Sequence, residues 1–157
     1  MVGEEAVDVV QDGPDWLVIA MDVPQFAPPE VLEWFVDASL LNQWWGEEAL
    51  IEPRPGGRYQ VVWPGMDWTM RGTVALVTVD TLAYSWTWDH EPEQPARTVI
   101  VHVEPSAGGT RVTLTHGPYR AESDAFPEDS LDRAGHREGW LYFLPRLHAK
   151  MMQHQSQ

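Results

Sequence analysis

The sequence predicts an α+β fold: one curved antiparallel sheet wrapped around a long C-terminal helix, with two short helices after the first strand. Three observations carry this. Between Ile51 and Gly117, short apolar-alternating runs are separated by turn residues, the pattern of a locally connected antiparallel meander. Near the C terminus, Trp140, Phe143, Leu144, Leu147 and Met151 recur at helical spacing as one apolar stripe. No strand–helix–strand alternation occurs, which disfavours a doubly wound nucleotide-binding fold. The chain has 157 residues, enough for one domain with a real core. Residues 1–14 read as an acidic N-terminal segment with an optional extra strand, 15–152 as the single domain and 153–157 as a tail.

The elements follow in order. Ala6–Gln11 can form a strand, and Asp12-Gly13 can turn it into Trp16–Val23. In that second run Leu17, Ile19, Met21 and Val23 take the core-facing positions. Pro28-Pro29 suits a helix start, since the missing N–H would be unpaired there anyway. Val31, Trp34 and Phe35 then share one helical face. Ser39 is the expected N-cap of a second helix ending near Trp44-Trp45, with Gly46 just past its end. Pro53, Pro55, Gly56 and Gly57 form a turn cluster, and Gly56-Gly57 is expected where a Cβ would not fit. Strands are expected at Arg58–Trp63, Trp68–Val79, Leu82–Trp88, Thr98–Val103 and Arg111–His116. In the final helix, Pro145 cannot bond the carbonyl of Leu141, which predicts a kink or local break.

Period-two alternation assigns faces. Tyr59, Val61 and Trp63 share one face, as do Trp68, Met70, Val74 and Leu76. Leu82, Tyr84, Trp86 and Trp88 form a third inward set, and Val112, Leu114 and His116 another. His102 falls on the outward face. His136 and Trp140 lie one helical turn apart on the inner side of the last helix. Nine Trp against four Tyr and four Phe is an unusual aromatic balance. Flat, rigid rings interlock less completely than Leu, Ile and Val, so their convergence on one side points to a cavity. A large filled core is the competing reading.

Composition excludes several functions. Net charge is −14, opposite to what phosphate backbones and anionic membranes attract. The absence of Cys excludes thiol catalysis and disulfides. No apolar stretch is long enough to span a bilayer, and the acidic start lacks the pattern of a signal peptide, so a cytoplasmic location is expected. Asp89-His90-Glu91 lacks metal-ligand spacing, and no phosphate-binding Gly loop or Gly-x-Ser-x-Gly elbow is present. No metal or cofactor is expected.

The chain resembles the START-like (SRPBCC) superfamily, in the branch related to activators of a chaperone ATPase. The resemblance rests on Pro29-Glu30-Val31, Trp44-Trp45-Gly46, Arg54-Pro55-Gly56-Gly57-Arg58-Tyr59, Gly72-Thr73-Val74, Tyr84-Ser85-Trp86, the run Gly108–His116, and His136-Arg137-Glu138-Gly139-Trp140. It spans roughly Val18 to Met151. It implies a helix-grip fold enclosing a deep apolar pocket, used by various members for lipids, hormones or polyketides. Gly139 would either admit the helix to the sheet or leave pocket space beside Trp140.

These readings give a first expectation: binding or sequestration of a hydrophobic, aromatic polyketide-type molecule, for carriage or self-resistance. The expected contacts are Tyr59, Trp63, Trp68, Met70, Tyr84, Trp86, Trp88, His116, His136, Trp140 and Phe143. The alternative is a cyclase or aromatase in which His116, His136 or Tyr84 moves protons. A co-chaperone-like interaction domain is the third. The expected partner is an apolar small molecule, not nucleic acid or membrane, and the protein is a monomer or homodimer. The acidic run Glu122–Asp132 is a solvated loop or helix start, with a lid over the pocket mouth as the sharper alternative.

Overall fold

The computed structural model describes residues 7–120 and 127–155. Its strands are β1 (Val7–Asp12), β2 (Leu17–Pro24), β3 (Glu48–Ile51), β4 (Arg58–Trp63), β5 (Trp68–Val77), β6 (Thr81–Trp88), β7 (Arg97–Ser106) and β8 (Gly109–Gly117). Its helices are α1 (Pro28–Val36), α2 (Ala38–Leu41) and α3 (Pro127–Gln155). The strands form one antiparallel sheet in the order β1-β2-β8-β7-β6-β5-β4-β3. This is the α+β fold that the alternating runs and the terminal stripe predict, in the helix-grip arrangement that the resemblance implies.

Alternation does set the faces. In β2, Leu17, Ile19, Met21 and Val23 are buried, and β4 buries Tyr59, Val61 and Trp63. In α3, Trp140, Leu144, Leu147 and Met151 face the core. The closest backbone approaches of α3 to the sheet are at β1 and β2. Arg133 and Arg137 fasten it there by binding Asp12. Over the β4–β6 side the gap between helix and sheet is left to large aromatic side chains, which positions the cavity described below.

Local structure departs from the sequence reading at several points. β3 carries no clear alternation and was not expected; it pairs with β4 along Glu48–Ile51. The N-cap of α2 is Asp37, not Ser39: Asp37 Oδ1 accepts from the amides of Ser39 (2.9 Å) and Leu40 (3.3 Å). The Ser39 hydroxyl instead donates to that carboxylate. α2 ends at Leu41, and the chain reaches Trp44 and Trp45 through turns. Gly46 is no left-handed cap; a Cβ there would lie 2.2 Å from Val61 Cγ1, so the need is close passage against β4. At the Gly56-Gly57 turn, Gly56 takes φ +85° and a Cβ on Gly57 would meet the Glu52 carbonyl at 2.2 Å.

A register shift between Val74 and Leu76 turns Leu76 outward, against strict alternation. His102 is half-buried, with Nδ1 3.1 Å from the Thr81 hydroxyl. α3 runs through Pro145 without a break. Leu141, whose carbonyl Pro145 cannot bond, is exposed, so water can take up that carbonyl. Of the acidic run proposed as a lid, residues 122–126 lie outside the described residues, and Pro127–Asp132 forms the first turns of α3.

Candidate functional site

A cavity of about 720 Å³ lies between α3 and the β4–β6 side of the sheet. Six of the nine Trp line it: Trp45, Trp63, Trp68, Trp86, Trp88 and Trp140. β4 and β6 place Trp63, Trp86 and Trp88 there by alternation, and the turn after α2 adds Trp45. Trp45 packs against Trp140, Trp86 and Trp63 at centroid separations of 5.0, 5.7 and 5.6 Å. The wall is pinned by hydrogen bonds as well as packing. The Trp63 indole N–H donates to the Trp45 carbonyl (2.7 Å), and that of Trp140 to His116 Nδ1 (3.0 Å). Partnered indoles hold their rings in place, so these walls are preorganised for a flat guest.

On α3, Gly135 and Gly139 face the cavity, and a Cβ built on either meets no heavy atom within 4 Å. Gly139 therefore leaves pocket space; it does not bring the helix closer to the sheet. At the mouth, Met66, Trp68, Leu131 and Tyr142 form an exposed apolar rim. Trp68 is 39 % exposed, a rim residue more than an interior one.

One corner is polar. His136 Nε2 accepts from the Trp88 indole N–H at 3.2 Å. The neutral ring then carries its proton on Nδ1, which donates to the Tyr119 hydroxyl at 2.7 Å. Burial holds the His136 pKa down, to about 4, against the opposing pull of Asp132, whose Oδ1 lies 3.6 Å away. The other Asp132 oxygen is 3.0 Å from Arg97, which also lowers the His136 pKa. His116 stacks on His136 at 4.3 Å and is also held neutral, by burial first and His136 second.

Behind this corner Arg97 is buried. It bonds Asp132, Asp129 and the Pro118 carbonyl and lies over the Tyr119 ring at 4.6 Å. Asp129 is fully buried and also binds Arg120 (2.7 Å), whose hydrogen bonds hold its carboxyl far below the ordinary range. The network ties the start of α3 to β7 and to the segment after β8. Sequence reasoning missed it, because a lone Arg at the first position of a strand carries no periodic signal.

The structure places the expected contacts in two groups. Trp63, Trp68, Trp86, Trp88, His136, Trp140 and Phe143 line the cavity. Tyr59, Met70, Tyr84 and His116 are fully buried outside its lining. Tyr59 and Tyr84 stack at 3.8 Å, and the Tyr59 hydroxyl donates to the Phe35 carbonyl, a core arrangement. Trp45 and the polar residues Glu91, Gln94 and Asp132 line the cavity without having been foreseen as contacts. A turn, a loop and the first turns of a helix supply them, where no alternation marks an inward side. Of the three proton-moving candidates, His116 and His136 stack together, both His136 nitrogens are engaged, and His116 and Tyr84 lie outside the cavity lining. Among the described residues, no group of His, Asp and Glu has the makings of a metal site, and no helix is long and apolar enough to cross a membrane.

A family model described as Activator of Hsp90 ATPase homolog 1-like protein matches residues 25–151. No curated protein sequence matches the chain. Among solved structures, protein MLL2253 from Mesorhizobium loti superposes with a TM-score of 0.76 at 18% identity, covering 88% of this chain and 97% of that one. DynU16, from the dynemicin biosynthetic locus, gives 0.73 at 22% identity, covering 89% of this chain and 48% of that one. CalU16 from Micromonospora echinospora gives 0.60 at 17% identity, covering 94% and 86%. At these identities the superpositions establish a common fold.

Proposed function

The chain belongs to the Activator of Hsp90 ATPase homolog 1-like family, and from that premise we propose that it binds and sequesters a flat, apolar small molecule of the aromatic polyketide type. The observation that carries this reading is the cavity of about 720 Å³ walled by six Trp. Its size falls within the range of small-molecule sites. A concave pocket of this depth can enclose most of a small molecule, whereas a protein-docking surface needs no such depth. The rings offer π-faces to a planar guest. The similarity in fold to a protein of the dynemicin biosynthetic locus supports a natural-product guest.

The reading of the pocket as a cyclase is weaker, because the indole of Trp88 occupies the His136 nitrogen that would act as a base. The test is Trp fluorescence titration with dihydroxyanthraquinone and neutral anthracene methanol, paired with thermal-shift measurements. Saturable quenching and a rise in Tm are expected. Neither effect with either compound, up to their solubility limits, refutes the proposal.

A further inference from the structure

We propose that the ligand carries a protonated amine, so that the site selects planar aromatic cations over neutral or anionic rings of the same shape. This rests on the reading of the cavity as a small-molecule site. Among the described residues, the cavity lining includes Glu91, Glu128 and Asp132 but no Lys or Arg. Among the described residues, the four carboxylates of this corner, counting Asp129 behind it, outnumber the two guanidiniums that pair with them. Arg97 serves Asp129 and Asp132, and Arg120 serves Asp129 and, at 3.7 Å, Glu128. Arg97 is 2 % exposed and lies behind the wall, where it cannot meet an anionic guest. Glu91 has no ion-pair partner among the described residues, and His136 is neutral. The Glu91 carboxyl is pushed up, first by burial and then by Asp132, against opposing pulls from His90 and Arg97.

A further feature points to a guest rather than to a solvated acidic patch. The acidic corner adjoins aromatic faces: Trp88 borders the cavity beside it, and His90 lies 5.0 Å from Trp88 and 5.5 Å from Trp68. An ammonium group there gains both a carboxylate and ring quadrupoles. A planar ligand with its rings on the Trp wall and an amine at the Glu91 corner uses both the aromatic faces and the carboxylates.

The experiment uses the full chain and three probes with one ring system: anthracene methylamine (cationic), anthracene methanol (neutral) and anthracene carboxylate (anionic). Affinities are measured by Trp quenching at low and high salt. The cation should bind about tenfold tighter than the neutral probe, the size expected of one partly buried ion pair beside an aromatic face. The anion should bind weakest. Salt should narrow the spread, and Glu91→Gln should lower the ratio of cation to neutral affinity by several-fold. Glu128→Gln, at a more exposed position, should lower it in the same direction. Equal binding of cationic and neutral probes overturns the amine assignment and leaves the apolar pocket standing. Failure of all three to bind overturns the pocket reading itself.

Discussion

Replacing Gly139 with Leu should raise stability and abolish tight binding, an unusual pair of signs. Gly139 sits inside α3, and a Cβ built on it meets no heavy atom within 4 Å. The substitution therefore relieves the helix-interior cost of Gly without a clash, a gain of about 0.8 kcal/mol. For a chain of this length that corresponds to about 2–4 °C in Tm for each kcal/mol gained. The four side-chain carbons of Leu would project into the cavity and displace a comparable piece of ligand. At about 0.8 kcal/mol per buried carbon, the lost contact is about 3 kcal/mol, or roughly a hundredfold in Kd. Gly139→Ala should give the same stability gain with at most a fewfold loss of affinity. The assays are thermal unfolding and quenching titration with anthracene methanol. A Gly139→Leu protein that melts several degrees lower, or binds the probe as the parent does, would refute an open cavity at this face of α3.

Two further outcomes follow from the polar corner. Asp129→Ala leaves buried Arg97 with Asp132 as its remaining carboxylate, and should destabilise the fold by about 3–5 kcal/mol in urea denaturation; a loss under 1 kcal/mol would contradict the network's role in anchoring α3. Stability should also fall on mild acidification. The folded pKa of His136 is about 4, below the ordinary imidazole value of about 6.5. Between those pH values the unfolded chain binds the proton and the folded one does not, so stability is full above about 6.5 and declines toward 4, by up to about 1.4 kcal/mol per pH unit from this residue. His116, shifted the same way, steepens the decline. Denaturation at stepped pH checks this, and a flat profile from pH 6.5 to 4 would refute the buried neutral pair.

Alternation made the sheet legible because its strands are exposed on one side and buried on the other. Leu17, Tyr59, Trp86 and Leu114 could all be assigned inward from their neighbours alone. The same rule failed at Leu76, where a bulge advances the register, and it had nothing to say about β3. Local chemistry misled at Ser39, because Asp37 two residues earlier is a capping acceptor that takes both the Ser39 amide and its hydroxyl.

The sequence by itself determined the fold class, the inward faces and the presence of an aromatic interior, since these depend on spacing along one element at a time. The tertiary structure decided which inward residues meet empty space and which meet each other. Tyr59 and Tyr84 point to the same side as Trp63 and Trp86, yet they stack together and close the core, while the two Trp border the cavity. That division depends on how far α3 stands from each strand and on the two glycines facing the gap. It also depends on Arg97, which joins the start of the helix to residues far away in the chain. Distances between elements, and charges paired across them, leave no periodic trace in a single sequence.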